Sequence, residues 1–345
     1  MKNKFYELFY NTIINEYMEK DLWLENLSAI KTLVKEITPT KVFRYRKISD
    51  FALSDFDKDI LSLSPAEFFN DPYDSLIRIK KENFNNIIAN SIQPENLNNN
   101  INNFLNVINN LEINSQLKEN LIIFLQKLQT IPIEEIQEVV NNNKDFIDNL
   151  YQASKEIAFR YLKTVPKIAC FSEDIESILM WSHYADSHKG FALEYNLKDY
   201  IGECDICGKN CDKSHYEMFY PVRYSNERFD VTPLLTYIAN YEIFPSQTNK
   251  PIIPIDDQFV VQKALLNKST DWSYEKEWRL MSLGRTQELR KYLSLKPTAI
   301  YLGVEISDIN KKILMTLAKE KNIKTYQMFI DTESPEFKME YIEIE

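Results

Sequence analysis

Residues 272–279 read W-S-Y-E-K-E-W-R, and their periodicity decides what kind of fold the chain builds. Side chains of a β-strand alternate between its two faces. As a strand, the stretch points Glu275, Glu277 and Arg279 one way and Tyr274, Lys276 and Trp278 the other. Aromatic residues suit a pleated surface. On a helix, residues two apart do not face each other, and the carboxylates would diverge. The strand reading therefore makes a platform of paired carboxylates. The plainer alternative is an edge strand whose outer face is solvated, with Arg279 neutralising one glutamate.

Working outward, 345 residues imply about two domains, or one with a large insertion. With 44% hydrophobic and 13% aromatic residues there is ample material for a core. A formal charge of −10 argues against bulk nucleic-acid binding, which needs clustered Lys and Arg. No apolar run approaches the ~20 residues that span a bilayer. The start, M-K-N-K-F-Y-E-L-F-Y-N, has no apolar signal core and carries Glu7 early, so a cytoplasmic protein with no membrane partner is expected. Neither G-x-G-x-x-G nor G-x-x-x-x-G-K-[ST] occurs among only five glycines, which excludes the glycine-loop phosphate cradles.

Three regions are distinguishable. Residues 1–40 form an N-terminal helical segment, with Phe5, Leu8, Phe9 and Ile13 at helical spacing and Leu22 to Val34 continuing it. Residues 41–80 and 161–345 form an α+β core domain: a small mixed or antiparallel β-sheet flanked by helices. Residues 81–160 are an Asn-rich helical insertion, marked by N-L-I-I-F-L-Q-K-L and I-E-E-I-Q-E-V-V, and are a candidate surface for a protein partner. In the core, K-V-F-R-Y-R (41–46), K-I-A-C-F-S (167–172), F-A-L-E-Y-N-L (191–197), P-V-R-Y (221–224), 272–282 and T-A-I-Y-L-G-V (298–304) read as strands. Residues 175–189 and 308–321 read as helices, with Gly190 at the positive-φ position that ends the first. K-T-Y-Q-M-F-I and M-E-Y-I-E-I-E read as two final strands.

Four groups carry candidate chemistry. In N-D-P-Y-D (70–74), Pro72 fixes the turn and keeps Asp71 out of the helical region, so Asp71 and Asp74 are held rigidly; an ordinary Asx-turn is the alternative. On the helix 175–189, Trp181, Tyr184 and His188 make one stripe, a cofactor wall or an aromatic core, and His183 lies well round from it. The two imidazoles are general-base candidates near neutral pH. Cys204, Cys207, Cys211 and His215 have the residue types of a tetrahedral structural zinc site, with free thiols on a loop as the alternative. Cys170, inside an apolar strand, reads as a small buried hydrophobe. Arg44 and Arg46 share one strand face opposite Tyr45, and beside Arg279 they would form a small anion pocket.

Taken together, F-R-Y-R, S-P-A-E-F-F-N-D-P-Y-D, C-F-S-E with L-M-W-S-H-Y-A-D-S-H-K-G-F-A-L-E-Y, and W-S-Y-E-K-E-W-R resemble the bacterial family catalogued as domain of unknown function number twenty-nine seventy-one. Order and spacing match over about residues 41–78, 165–197 and 222–305. The chain more distantly resembles ADP-ribosyltransferase-like folds, which place an Arg, His or Tyr on a first strand, a small hydroxyl residue on a second and a catalytic E-x-E on a later one. That resemblance maps Arg44, Tyr45 and Arg46, then Ser62 or Ser64, then Glu275 and Glu277. It implies an NAD-using transferase, of the kind found among bacterial toxins and phage-defence effectors. Glu277 would be the catalytic carboxylate with Glu275 and His183 beside it. Arg44, Tyr45, Arg46, Ser64, Asn70, Asp71, Trp181, Tyr184, His188 and Arg279 would line the cofactor site. A carboxylate beside the ribose would stabilise the oxocarbenium ion left by nicotinamide, and a second would take the acceptor's proton.

Two further readings stand beside it. One is a metal-dependent hydrolase or nuclease with Asp71, Asp74, His183, His188 and a glutamate as ligands. The other is a non-enzymatic sensor or interaction protein in which the same motifs knit the sheet together. All three depend on whether distant segments bring their polar side chains to one place.

Overall fold

A computed structural model describes residues 1–15, 18–84, 101–197 except 103, 104, 107 and 111, then 217–238, 257–283 and 288–345. Cys204, Cys207, Cys211 and His215 lie outside the described residues. The chain begins with α1 (Lys2–Asn11) and α2 (Lys20–Ile37), both amphipathic, then β1 (Val42–Arg46). Next come α3 (Asp50–Asp57), capped by the Ser49 side chain, and β2 (Ile60–Leu63). The Asn-rich region contributes α4 (Ser115–Leu128), α5 (Ile133–Asn142) and α6 (Lys144–Thr164); Asn114 and Asn143 cap α4 and α6. There follow β3 (Lys167–Ser172), α7 (Ile178–Tyr184), β4 (Phe191–Tyr195), β5 (Glu217–Pro221) and β6 (Arg223–Tyr224). The remainder is α8 (Thr232–Ile238), α9 (Val260–Leu265), β7 (Asn267–Lys268), β8 (Glu277–Ser282), β9 (Lys291–Ser294), β10 (Ala299–Leu302), α10 (Asp308–Glu320), β11 (Lys324–Ile330) and β12 (Met339–Ile344).

Eight strands form one sheet in the order β12-β11-β10-β4-β1-β3-β8-β5. Its pairs are antiparallel except for β10 with β11. This is the α+β fold expected from the strand and helix patterns. Register divides the sheet into two faces. Cys170 lies opposite Arg279, Ser172 opposite Glu277, and Phe43 opposite Ser172, so these five share a face with Tyr45. Arg44 lies opposite Leu193 and Arg46 opposite Phe191, on the other face. That second face packs Val42, Phe171, Leu193, Trp278 and Ile300 against β2, α3 and α10 through Leu61, Phe56 and Leu314. On the first face, Phe43, Tyr45 and Tyr301 pack with Met180 and Trp181 of α7. Ile168, Tyr220 and Met281 pack with α1, α2, α4 and α6.

Three expectations from the sequence are corrected. Residues 272–276 are not strand: Thr270–Glu275 form a 3-10 turn, started by the Ser269 side chain accepting from the Asp271 amide. Lys276 then takes a left-handed conformation (φ 44°) before β8 begins. The helix read as 175–189 stops at Tyr184. Asp186, Ser187 and His188 are all left-handed, and the Ser187, His188 and Gly190 amides fold back onto the Ser182, Trp181 and Ala185 carbonyls. His188 is therefore off the Trp181/Tyr184 stripe. Gly190 serves a close approach rather than a positive φ, because a Cβ there would stand 2.2 Å from the Arg46 carbonyl oxygen. The strand β4 is buried along its whole length, a central strand covered on both faces.

Candidate functional site: a buried charge cluster on the first sheet face

Arg279 sits in the middle of β8 and is fully buried. A guanidinium there must have every donor answered. Its Nε donates to Glu277 Oε1 (2.8 Å) and Nη2 to Glu277 Oε2 (3.2 Å). Its Nη1 donates to Asp74 Oδ1 (3.0 Å) and to the Leu265 carbonyl, and Nη2 to Asp74 Oδ2. This fork-to-fork pairing with Asp74 ties the 70–74 corner to a strand 205 residues further along the chain. The corner is built for it: the Asp74 amide donates to the Asp71 carbonyl, and the Ser75 hydroxyl, from a left-handed residue, donates to Asp74 Oδ1.

Lys268 of β7 supplies the second cation. Its Nζ lies 2.6 Å from Glu275 Oε2, 3.2 Å from Glu277 Oε2 and 3.8 Å from Asp74 Oδ2. It also lies 4.8 Å from the centre of the Trp272 ring. The paired carboxylates of E-x-E thus do converge, but through the 3-10 turn and the Lys276 kink rather than strand alternation. The Glu277 amide donates to the Tyr224 hydroxyl at 2.8 Å. On the open side, the Tyr184 hydroxyl donates to Glu275 Oε1 at 2.5 Å, and the Asn70 side-chain amide approaches that hydroxyl at 3.4 Å. Glu275, Glu277, Asp74, Lys268 and Arg279 are buried, Tyr184 is half-buried and Asn70 exposed.

Two neighbouring carboxyls are driven opposite ways. Burial alone would raise Glu277, but the Arg279 guanidinium and the Lys268 ammonium hold it well below the usual carboxylate range. Burial and then repulsion from Glu277 push Glu275 up to about 7, against the pull of Lys268 and Tyr184. Burial and the adjacent Glu275 raise the Tyr184 phenol, which stays neutral. Desolvation and then the Glu277 carboxylate raise the Cys170 thiol, which stays protonated; the residue is half-buried, not the fully buried hydrophobe expected from the sequence.

Of the remaining candidates, His183 is exposed at the rim, its ring 6.2 Å from that of Tyr274 and 6.5 Å from that of Tyr184. Asp71 is buried: Oδ1 accepts from the Tyr73 amide, while Oδ2 has no partner. Tyr45 and Trp181 are core, packed edge to face at 5.1 Å; the Tyr45 hydroxyl donates to the Asp174 carbonyl and Trp181 Nε1 to the Ile175 carbonyl. His188 has a buried Nδ1 with no partner, and burial lowers its affinity for a proton. Ser64 pairs through its backbone with Ile168 and so anchors β2 beside β3. Arg44 and Arg46 are not beside Arg279; register puts them on the opposite face. Asp74 is committed to Arg279 and is not presented as a free metal ligand. Among the described residues no group of three His, Cys, Asp or Glu side chains has a metal-holding arrangement.

Sequence reasoning missed Lys268 and Tyr224. Each stands alone in its segment, and only the parallel β6/β7 pair, with Tyr224 opposite Lys268, brings them under the E-x-E carboxylates. No curated protein and no solved structure matches the chain. Residues 180–280, which include Tyr184, Lys268, Glu275, Glu277 and most of β8, match the model of a family described as "Protein of unknown function (DUF2971)".

Proposed function

We propose that Glu275 and Tyr184 form the acid–base centre of an enzyme that cleaves the nicotinamide–ribose bond of NAD. The substrate class is the one implied by the resemblance to ADP-ribosyltransferase-like folds. The observation that carries the reading is the contrast between the two glutamates. Glu277 is clamped by Arg279 and Lys268 as a fixed anion. Glu275 alone in the cluster is pushed near neutrality while bound to a half-exposed hydroxyl. A carboxyl poised near the working pH serves best as a base, because a useful fraction is ionised and still basic. The roles suggested by the resemblance are therefore exchanged, with Glu275 as the working group and Glu277 as its electrostatic support.

In this reaction the C1′–N bond breaks and nicotinamide leaves as a neutral base with the bonding pair. The ribosyl cation is stabilised by the negative side of the cluster. An acceptor hydroxyl or water attacks C1′, and its proton passes to Glu275, directly or through Tyr184. The test is nicotinamide release from NAD, followed chromatographically from pH 6 to 8. Glu275→Gln should lower the rate by about 100-fold or more, in the range of general-base contributions. Tyr184→Phe should lower it less. If the unaltered protein neither releases nicotinamide nor shows an NAD-dependent melting shift, the reading fails, and the cluster is a brace between three distant segments.

A further inference from the structure

On the sheet face opposite the Glu275 cluster, Arg44 and Arg46 of β1 meet Arg290, which lies just before β9. We propose that these three arginines form a phosphate-binding site, separate from the acid–base centre and independent of its activity. The first observation is their unspent donors. Arg44 uses only Nη2, on the Ser62 carbonyl (2.7 Å) and, at 3.5 Å, the Ser62 hydroxyl. Arg46 uses only Nη2, on Asp55 Oδ2 at 3.3 Å. Among the described residues Arg290 has no hydrogen-bond partner; it rests on rings, 4.5 Å from the centre of Phe51 and 5.7 Å from that of Phe68. All three residues are half-buried, and none of their guanidinium nitrogens is both fully enclosed and without a partner.

The second observation is charge. Arg46 also lies 5.4 Å from the Phe51 ring, so two guanidiniums share one aromatic side chain. Asp55 is the carboxylate that faces them, and it is already engaged by the Ser62 hydroxyl at 2.8 Å. Burial, then Arg44, lowers Arg46 to about 10, and Arg290 opposes the charge on both of its neighbours. A local excess of positive charge in a chain of net charge −10 is self-repelling without a counter-ion. Guanidinium forks match phosphate oxygens in pairs, which an isolated ammonium cannot do. Phe51 and Phe68 are partly exposed beside Arg290, at 38% and 51%, and offer a flat apolar lip on which the base of a nucleotide could stack.

The probes are inorganic pyrophosphate and AMP, titrated calorimetrically into the full chain at low and moderate salt. Saturable one-to-one binding that weakens with salt is expected. Arg290→Gln, at a side chain without a hydrogen-bond partner among the described residues, should weaken it by about tenfold or more, the scale of one charge-assisted contact. Arg46→Gln should do the same, and circular dichroism checks that both variants are folded. AMP binding weakened by Phe68→Leu would assign a nucleotide; equal binding of both probes, unaffected by Phe68→Leu, would assign a bare phosphate group. Glu275→Gln should leave pyrophosphate binding intact, so this site and the acid–base reading fail separately. The proposal is overturned if neither probe binds saturably, or if Arg290→Gln leaves binding unchanged.

Discussion

Glu275 and Glu277 are two positions apart and share one ammonium, yet their proton affinities diverge because the Arg279 fork is committed to Glu277. The divergence has opposite consequences for stability. Glu275 binds its proton more tightly in the folded state than in the unfolded chain. Its contribution is full below the ordinary glutamate value and is lost as pH rises through about 7. Glu277 binds its proton more weakly when folded. Its contribution is full above the ordinary value and is lost only as pH falls well below it. The melting temperature should therefore decline between pH 5 and 8, and Glu275→Gln, which cannot ionise, should flatten that decline. Glu277→Gln should cost about 3 kcal/mol or more in urea unfolding, since it leaves two buried cations facing fewer acids. If Glu277→Gln costs no more than Glu275→Gln, the assignment of fixed and titrating carboxyl is wrong.

At the scale of elements, the kink before β8 turns a strand-like sequence into a convergent site. Lys276 takes φ 44°, a conformation that costs a residue with a Cβ about 1–2 kcal/mol. Its side chain makes only an exposed pair with Asp174, worth little. Lys276→Gly should therefore hold or raise the unfolding midpoint, whereas Lys276→Val should cost about 1–2 kcal/mol. An unchanged midpoint for Lys276→Val would mean that the chain passes this point another way. The kink also marks where the sequence stops being readable. β1, β3, β10 and α10 were legible because their apolar periodicity is set by burial on a sheet face or one helix stripe. The 3-10 turn was not, because W-S-Y-E-K-E-W-R alternates as well as any strand; the contrary signal is S-T-D at 269–271, which caps a turn. The same limit hid the end of α7: Asp and His enter the left-handed region more readily than most residues with a Cβ, but three such residues in a row at 186–188 carry no glycine to mark the break. Asp74 was visible as a rigid acid, but its partner Arg279 was not, since nothing local links residues so far apart.

Across the whole molecule, the N-terminal helices and the Asn-rich helices converge on one apolar cluster against the β5/β8 end of the sheet. Phe5 and Phe9 of α1 are fully buried and lie 5.8 and 5.2 Å from the Tyr220 ring of β5. Polar bonds hold the same contact: the Tyr6 hydroxyl donates to the Val222 carbonyl, Tyr10 to the Lys263 carbonyl, and Lys263 Nζ to the Thr12 carbonyl. The cluster continues through Leu121 and Leu128 of α4 and Ala158 and Leu162 of α6 to Ile168 and Met281 of the sheet. Met281 is two residues from Arg279, so the charge cluster borders this core and depends on it to exclude water. A core shared in this way should unfold as one unit. Phe9→Ala removes a buried ring and should cost about 3–5 kcal/mol. In hydrogen exchange that loss should appear as a matching fall in protection in α1, α6 and β8. Protection lost from α1 and α2 alone, with β8 unchanged, would show that the N-terminal helices are an appendage and that the Glu275 site stands without them.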